Sequence, residues 1–123
     1  MVEAAEQPLE IPTLVQTAVD AIVDLKGQEL KVLHLEPVSD FTDYFLVVHG
    51  TSNRQVEAIA ESVHEKLAKL KVRPLHTEGI GKGSWILLDY GDFVVHVFDE
   101  AKRRFYALER LWGDAPDETA RFC

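Results

Sequence analysis

WILLDYGDFVVHVF, Trp85 to Phe98, reads as a two-stranded hairpin whose pairing decides what the rest of the chain must build around it. Gly91-Asp92 fit the two central positions of a type II′ turn, which takes glycine first because that position needs positive φ. The ladder then sets Tyr90 opposite Phe93, Leu88 opposite Val95 and Ile86 opposite Val97. Successive side chains alternate between faces, so this face is wholly apolar, while the other pairs Asp89 with Val94, Leu87 with His96 and Trp85 with Phe98. A carboxylate, an imidazole and two large aromatics on one face must either be sealed under a polar cover or form a surface for another molecule. We read it as such a surface, because large apolar groups left in water usually mark an interaction site.

Outward from the hairpin, the pattern is that of one α/β domain. Pro12-Thr13 is expected to open a helix, Thr13 with Gln16 matching a capping box and Val15, Ala18, Val19 and Ile22 sharing a face; Gly27 stops it as C′ residue. KVLHLE (Lys31 to Glu36) and YFLVVHG (Tyr44 to Gly50) read as strands separated by turn residues. Ser52 with Gln55 caps a second helix carrying Val56, Ile59, Ala60, Val63, Leu67 and Leu70. Strand RPLHTE, the glycine loop GIGKG (Gly79 to Gly83), the hairpin and a last helix from about Ala101 to Trp112 follow. The expected fold is α/β, a mixed sheet of about five strands flanked by helices. Its boundaries are a flexible acidic leader over 1–12, a single domain over 13–113 and a frayed tail over 114–123.

Composition narrows the partners. The 123 residues suit one domain, and no apolar run approaches the roughly 20 residues needed to span a bilayer. Cys123 is the only cysteine, so no internal disulfide and no thiolate cluster for zinc can form; together with a leader lacking any export pattern, this makes the cytoplasm the expected location. Twenty-one acidic against thirteen basic residues leave a formal net charge of −8, which disfavours direct nucleic-acid binding and attracts a basic protein.

Each catalytic or metal-binding pattern falls short. His34, His49 and His96 lie on strands but match no zinc-ligand spacing. Gly79, Gly81 and Gly83 resemble a phosphate cradle, yet lead into a strand rather than a helix, so the loop is read as a flexible connection; its Lys82 is kept as a partner contact. Gly50-Thr51-Ser52 sits where nucleotidyltransferases place a Gly-Ser pair, but the two carboxylates that would hold divalent metal on the next strand are missing, and Ser52 is a helix cap. No nucleophile elbow exists, so no catalytic residue, metal or cofactor is assigned. Lys102, Arg103 and Arg104 oppose the dipole of the last helix and need anionic company, from Asp99, Glu100 or another chain's acids, or from a partner's carboxylates or phosphate. Phe105, Leu108 and Leu111 read as a core stripe, leaving Tyr106 and Trp112 for the surface.

TSNRQVEAIA (Thr51 to Ala60), Glu78-Gly79, the hairpin sequence and RFYALERLW (Arg104 to Trp112), in that order and spacing, resemble the ribosomal silencing factor family, also called Iojap or RsfS, from Thr13 to Ala115. The resemblance implies a nucleotidyltransferase-like fold without the catalytic carboxylates, and docking on the large ribosomal subunit through its fourteenth protein. It further implies a block on subunit joining, repression of translation when nutrients are short, and a homodimer when free. Carried over residue by residue, the partner-facing motif falls on Glu78, Trp85, Asp89 and Tyr90, with His96, Phe98 and Arg104 in the matching block. Tyr90 lies on the apolar face of the pairing above, so either the turn is longer than two residues or Tyr90 serves the core. His49 departs from the family pattern, which has a small or hydroxyl residue there. Two other readings stand beside it: a metal-dependent nucleotidyltransferase or nucleotide-binding relic, and a dimerisation module using the aromatic face for itself.

Overall fold

The computed structural model describes residues 9–123. The order is α1 (Ile11–Asp24), β1 (Gln28–His34), β2 (Tyr44–Gly50), α2 (Asn53–Lys69), β3 (His76–Glu78), β4 (Trp85–Asp89), β5 (Phe93–Asp99), α3 (Glu100–Tyr106), α4 (Leu108–Leu111) and α5 (Thr119–Phe122). One mixed sheet runs β1-β2-β5-β4-β3, parallel only between β2 and β5, with every other pair antiparallel. The hairpin has the expected register, Trp85 with Phe98 through Asp89 with Val94. Its turn is two residues long, since the Tyr90 N–H donates to the Phe93 carbonyl at 2.9 Å and Gly91 has φ of 86°. That resolves Tyr90: it is buried on the core face, stacked on Phe93 with centroids 4.9 Å apart.

Helices α1, α2 and α5 lie on this apolar face, where Val15, Val19, Ile22, Val56, Ile59 and Val63 meet Leu46, Val48, Ile86, Leu88, Val95 and Val97 in one cluster. Ser52 caps α2 as expected, accepting from the Gln55 N–H, while Gln55 returns a carboxamide oxygen to the Thr51 N–H. The start of α1 differs. It begins at Ile11 behind Glu10, with no side-chain cap, because Pro12 occupies the first turn, where its missing N–H is needed least. Residues 11 and 12 of the expected leader are therefore helical, and residues 1–8 of it lie outside the described residues. Lys26, with φ of 61°, rather than Gly27, is the left-handed residue that ends α1; Gly27 N–H then bonds Ile22 O, and a Cβ on Gly27 would meet Ile22 and Val48 at 2.7 Å. The first strand begins earlier than expected, at Gln28, through an irregularity between Gln28 and Lys31 that lets Gln28 pair His49.

The expected last helix is two. Ala107, at φ of 47°, breaks it into α3 and α4, and Asp99 caps α3 by accepting from the Lys102 N–H. Alanine is no breaker by propensity, so this is a tertiary decision. Arg103, 2% exposed, is the side chain that α3 buries. It donates to Glu109, to the Gln28 carbonyl and to His49 Nδ1, each at 3.1 Å. Arg104 pairs with Glu29 and Glu100. In this short helix both arginines fall in the last turn, where cations suit the dipole rather than oppose it, and both find anions within the chain.

Residues 114–123 are not frayed. The backbone of 116–118 runs along β1, with His34 N–H to Pro116 O and Glu118 N–H to Val32 O at 2.9 and 2.8 Å, and Thr119 Oγ1 accepts from the Val32 N–H. Phe122 is buried edge-on to Tyr44 at 5.9 Å. The edge of β1 offered unpaired donors and acceptors, and the tail satisfies them. Phe122→Ala should cost about 3 kcal/mol of unfolding free energy in urea melts, as for a buried phenylalanine. A cost below about 0.5 kcal/mol would mean the tail is not docked in solution.

Candidate functional site

The second sheet face gathers side chains from every strand. In rows across β2, β5 and β4 it carries Phe45, Val94 and Asp89; Val47, His96 and Leu87; and His49, Phe98 and Trp85, with His76 and Glu78 beyond on β3. Helices α3 and α4 and the segment to Ala115 cover only part of it. Phe45 packs edge-on against Trp112 at 6.0 Å, beside Leu33, Leu35, Val94 and Ala115. His96, 4% exposed, and Phe98, 0% exposed, are sealed in the monomer, which removes them from any partner-facing surface. Trp85, Leu87 and Asp89 stay half-buried, and His76 and Glu78 are exposed. The face is therefore divided, covered over β5 and open over β4 and β3.

The buried residues fix Trp85. Its ring stacks on Phe98 at 4.9 Å and leans on Tyr106 at 4.6 Å, and its Nε1–H donates to His96 Nδ1 at 3.2 Å. An indole held on three sides with one edge in solvent loses little rotamer freedom on binding, which is what an anchor requires. Accepting at Nδ1 requires a neutral His96 that carries its proton on Nε2, and that buried atom has no partner. Burial drives the imidazole pKa down to about 4, against a smaller opposing pull from Asp89. The unfolded imidazole titrates near 6.5. Between those values the unfolded chain holds a proton that the native state refuses, so stability falls as pH drops from about 6.5 toward 4, by up to about 1 kcal/mol per pH unit. His96→Leu should flatten that part of the stability profile measured by urea melts, and an unchanged slope would assign the acid sensitivity elsewhere.

Asp89 accepts from the Gly91 N–H at 2.8 Å, tying the turn to the open face, and Glu78 pairs with His76 at 2.7 Å while both remain mostly in water. The sequence-derived site residues thus separate. Glu78, Trp85 and Asp89 share the open surface. His96 and Phe98 support it from beneath, Tyr90 lies on the opposite face, and Arg104 is drawn to the β1 side by Glu29. Lys82 is exposed in a loop that is tethered rather than free, Glu57 accepting from the Gly81 and Gly83 N–H groups. The core stripe is also corrected. Phe105 is 79% and Leu111 71% exposed, and Phe105 meets Tyr106 at 5.0 Å, so the aromatic surface continues from Trp85 onto α3. Trp112, expected in solvent, is half-buried. No signal in the sequence marked this inversion, because the stripe holds only if the helix runs on through Ala107.

Among the described residues no three His, Cys, Asp or Glu side chains group so as to hold a metal ion. Asp99, opposite Gly50 across the sheet, spends its carboxylate on the α3 cap, and His34 lies on the face opposite to His49 and His96. A pleated platform with a clamped, half-exposed indole and flanking carboxylates has the make-up of a binding surface. Residues 8–122 match the family described as ribosomal silencing factor during starvation, RsfS, and the chain belongs to that family. It is 41% identical over 103 residues to the ribosomal silencing factor of Halalkalibacterium halodurans, covering 84% of this chain and 88% of that one. A crystal structure of a Chromobacterium violaceum protein, 39% identical, superimposes with a TM-score of 0.83 over 85% of this chain and 88% of that one. More distantly, the chain is 32% identical over 101 residues to the mouse protein named mitochondrial assembly of ribosomal large subunit protein 1, covering 76% of this chain and 44% of that one.

Proposed function

We propose that this protein docks on the large ribosomal subunit through a basic protein at the subunit interface, the fourteenth of that subunit, and so prevents the small subunit from joining. Translation is then repressed by occupancy when nutrients are limiting, in the cytoplasm, and the free protein is a homodimer. The observation that carries the reading is Trp85, held by Phe98, Tyr106 and His96 yet half-open beside Asp89 and Glu78. Those carboxylates and the net charge of −8 complement a basic partner and favour fast association. No helix among the described residues is long and apolar enough to cross a membrane. The test is a subunit-joining assay: saturating protein should shift whole ribosomes toward free subunits in sucrose gradients, and an unaltered profile would remove the reading while sparing the fold.

A further inference from the structure

Helix α2 packs over β2, β5 and β4 with α1 alongside it, while β3 makes its extensive contacts with β4 alone, so the helical layer stops one strand short of the sheet edge. What remains is an open trough of about 320 Å³, lined by Ala60, Leu88 and Ile80 with Glu57, Glu61 and His64 along the α2 side. Two carboxylates and an imidazole stand over an apolar floor, and among the described residues no lysine or arginine lines it. Glu57 holds the 79–83 loop through the Gly81 and Gly83 N–H groups, at 3.1 and 2.7 Å, which places Ile80 as the far wall. Beside the trough β3 ends the sheet, with no strand among the described residues on its outer side, and Leu75 just before it is 78% exposed.

We infer that this edge is a second docking site, separate from the Trp85 face, for an extended basic segment of a protein partner. The segment's backbone pairs along β3, and a lysine or arginine lays its aliphatic stem over Leu88 and Ile80 with its charged end at Glu61, the rim carboxylate that the 79–83 loop does not occupy. Apolar floor and acidic rim together fit such a side chain. A purely apolar residue would leave Glu61 without a counter-charge, and an acidic segment would be repelled.

The inference does not rest on the ribosomal reading, and its test separates the two. The full-length chain, 15N-labelled, is titrated with a blocked peptide of alternating threonine and valine carrying one central arginine. Amide shifts are expected at Thr77, Glu78, Ile80 and Glu61. Affinity should fall at least tenfold for Glu61→Lys and for a peptide with central glutamate, and be unchanged in Trp85→Ala. Absent binding, equal binding of the glutamate peptide, or shifts centred on Trp85 and Phe105 would overturn it. Sedimentation of Glu61→Lys supplies the remaining outcome: if the substitution converts a dimer of the free chain to monomer, the occupant is a second copy and the inference fails.

Discussion

Under the proposed docking on the large ribosomal subunit, Trp85→Ala should weaken binding by about 2 kcal/mol or more, roughly thirtyfold, read as the protein concentration needed for half-maximal cosedimentation. The magnitude follows from the way the ring is held. Phe98 beneath it, Tyr106 beside it and the Nε1–H bond to His96 leave the indole with little freedom to lose when a partner covers its exposed edge. Truncation would also uncover Phe98 and Tyr106, so Trp85→Phe, which keeps a ring but loses the hydrogen bond, should fall between parent and alanine variant. Cosedimentation of the alanine variant at the parent's concentration would place the ribosome-facing surface elsewhere. Since the core of the domain lies on the other face of the sheet, far-ultraviolet circular dichroism of Trp85→Ala should remain that of the parent even though its contacts with Phe98, Tyr106 and His96 are lost.

Arg103→Ala should be the most destabilising single change on the second face, costing about 3 kcal/mol in urea unfolding. The guanidinium, 2% exposed, bonds Glu109, the Gln28 carbonyl and His49 Nδ1, so its removal leaves a cavity and three polar groups without their donor. Glu109 keeps 30% of its side chain in water and recovers some hydration, which holds the cost to the lower end of the range for a broken buried pair. Burial, and then the charge of Arg103, lower the pKa of His49, so alanine at 103 should raise it. An NMR titration of that imidazole reads this directly. Arg103→Met should cost less, because it keeps much of the volume and drops a charge that burial disfavours. A loss below about 1 kcal/mol for the alanine variant would mean that α3 does not depend on this anchor.

Much of the fold was legible because period and turn chemistry act locally. Tyr44 to Gly50 is a strand with every residue buried, as a run of apolar residues between two turns suggested. Ser52 and Gln55 announced α2, and Gly91-Asp92 set the hairpin register that put Trp85, His96 and Phe98 on one face. The family membership was likewise readable from motif order, and the match over residues 8–122 supports it. Less legible was which half of the second face would be open. His96 and Phe98 carried the same period-two signal as Trp85 and Leu87, and only the reach of α3, α4 and the segment to Ala115 decides which are covered. Phe105 and Leu111 kept helical spacing with Leu108, yet that spacing means burial only in an unbroken helix. Arg103 was visible as a cation in an awkward place, and the residues that satisfy it lie 75, 54 and 6 positions away in the chain.

The sequence by itself determined the strands, the long helices, the hairpin register and the absence of a paired-carboxylate motif after Gly50-Thr51-Ser52, because each depends on neighbours within a few residues. Tertiary structure alone decided that the tail completes the edge of β1, that the last helix breaks at Ala107, and that Trp85 rests on a buried base while Phe105 stands in water. Those outcomes turn on competition between distant groups for one sheet face. A buried arginine with three partners outweighed the apolar stripe beside it, and no local propensity encodes such a balance.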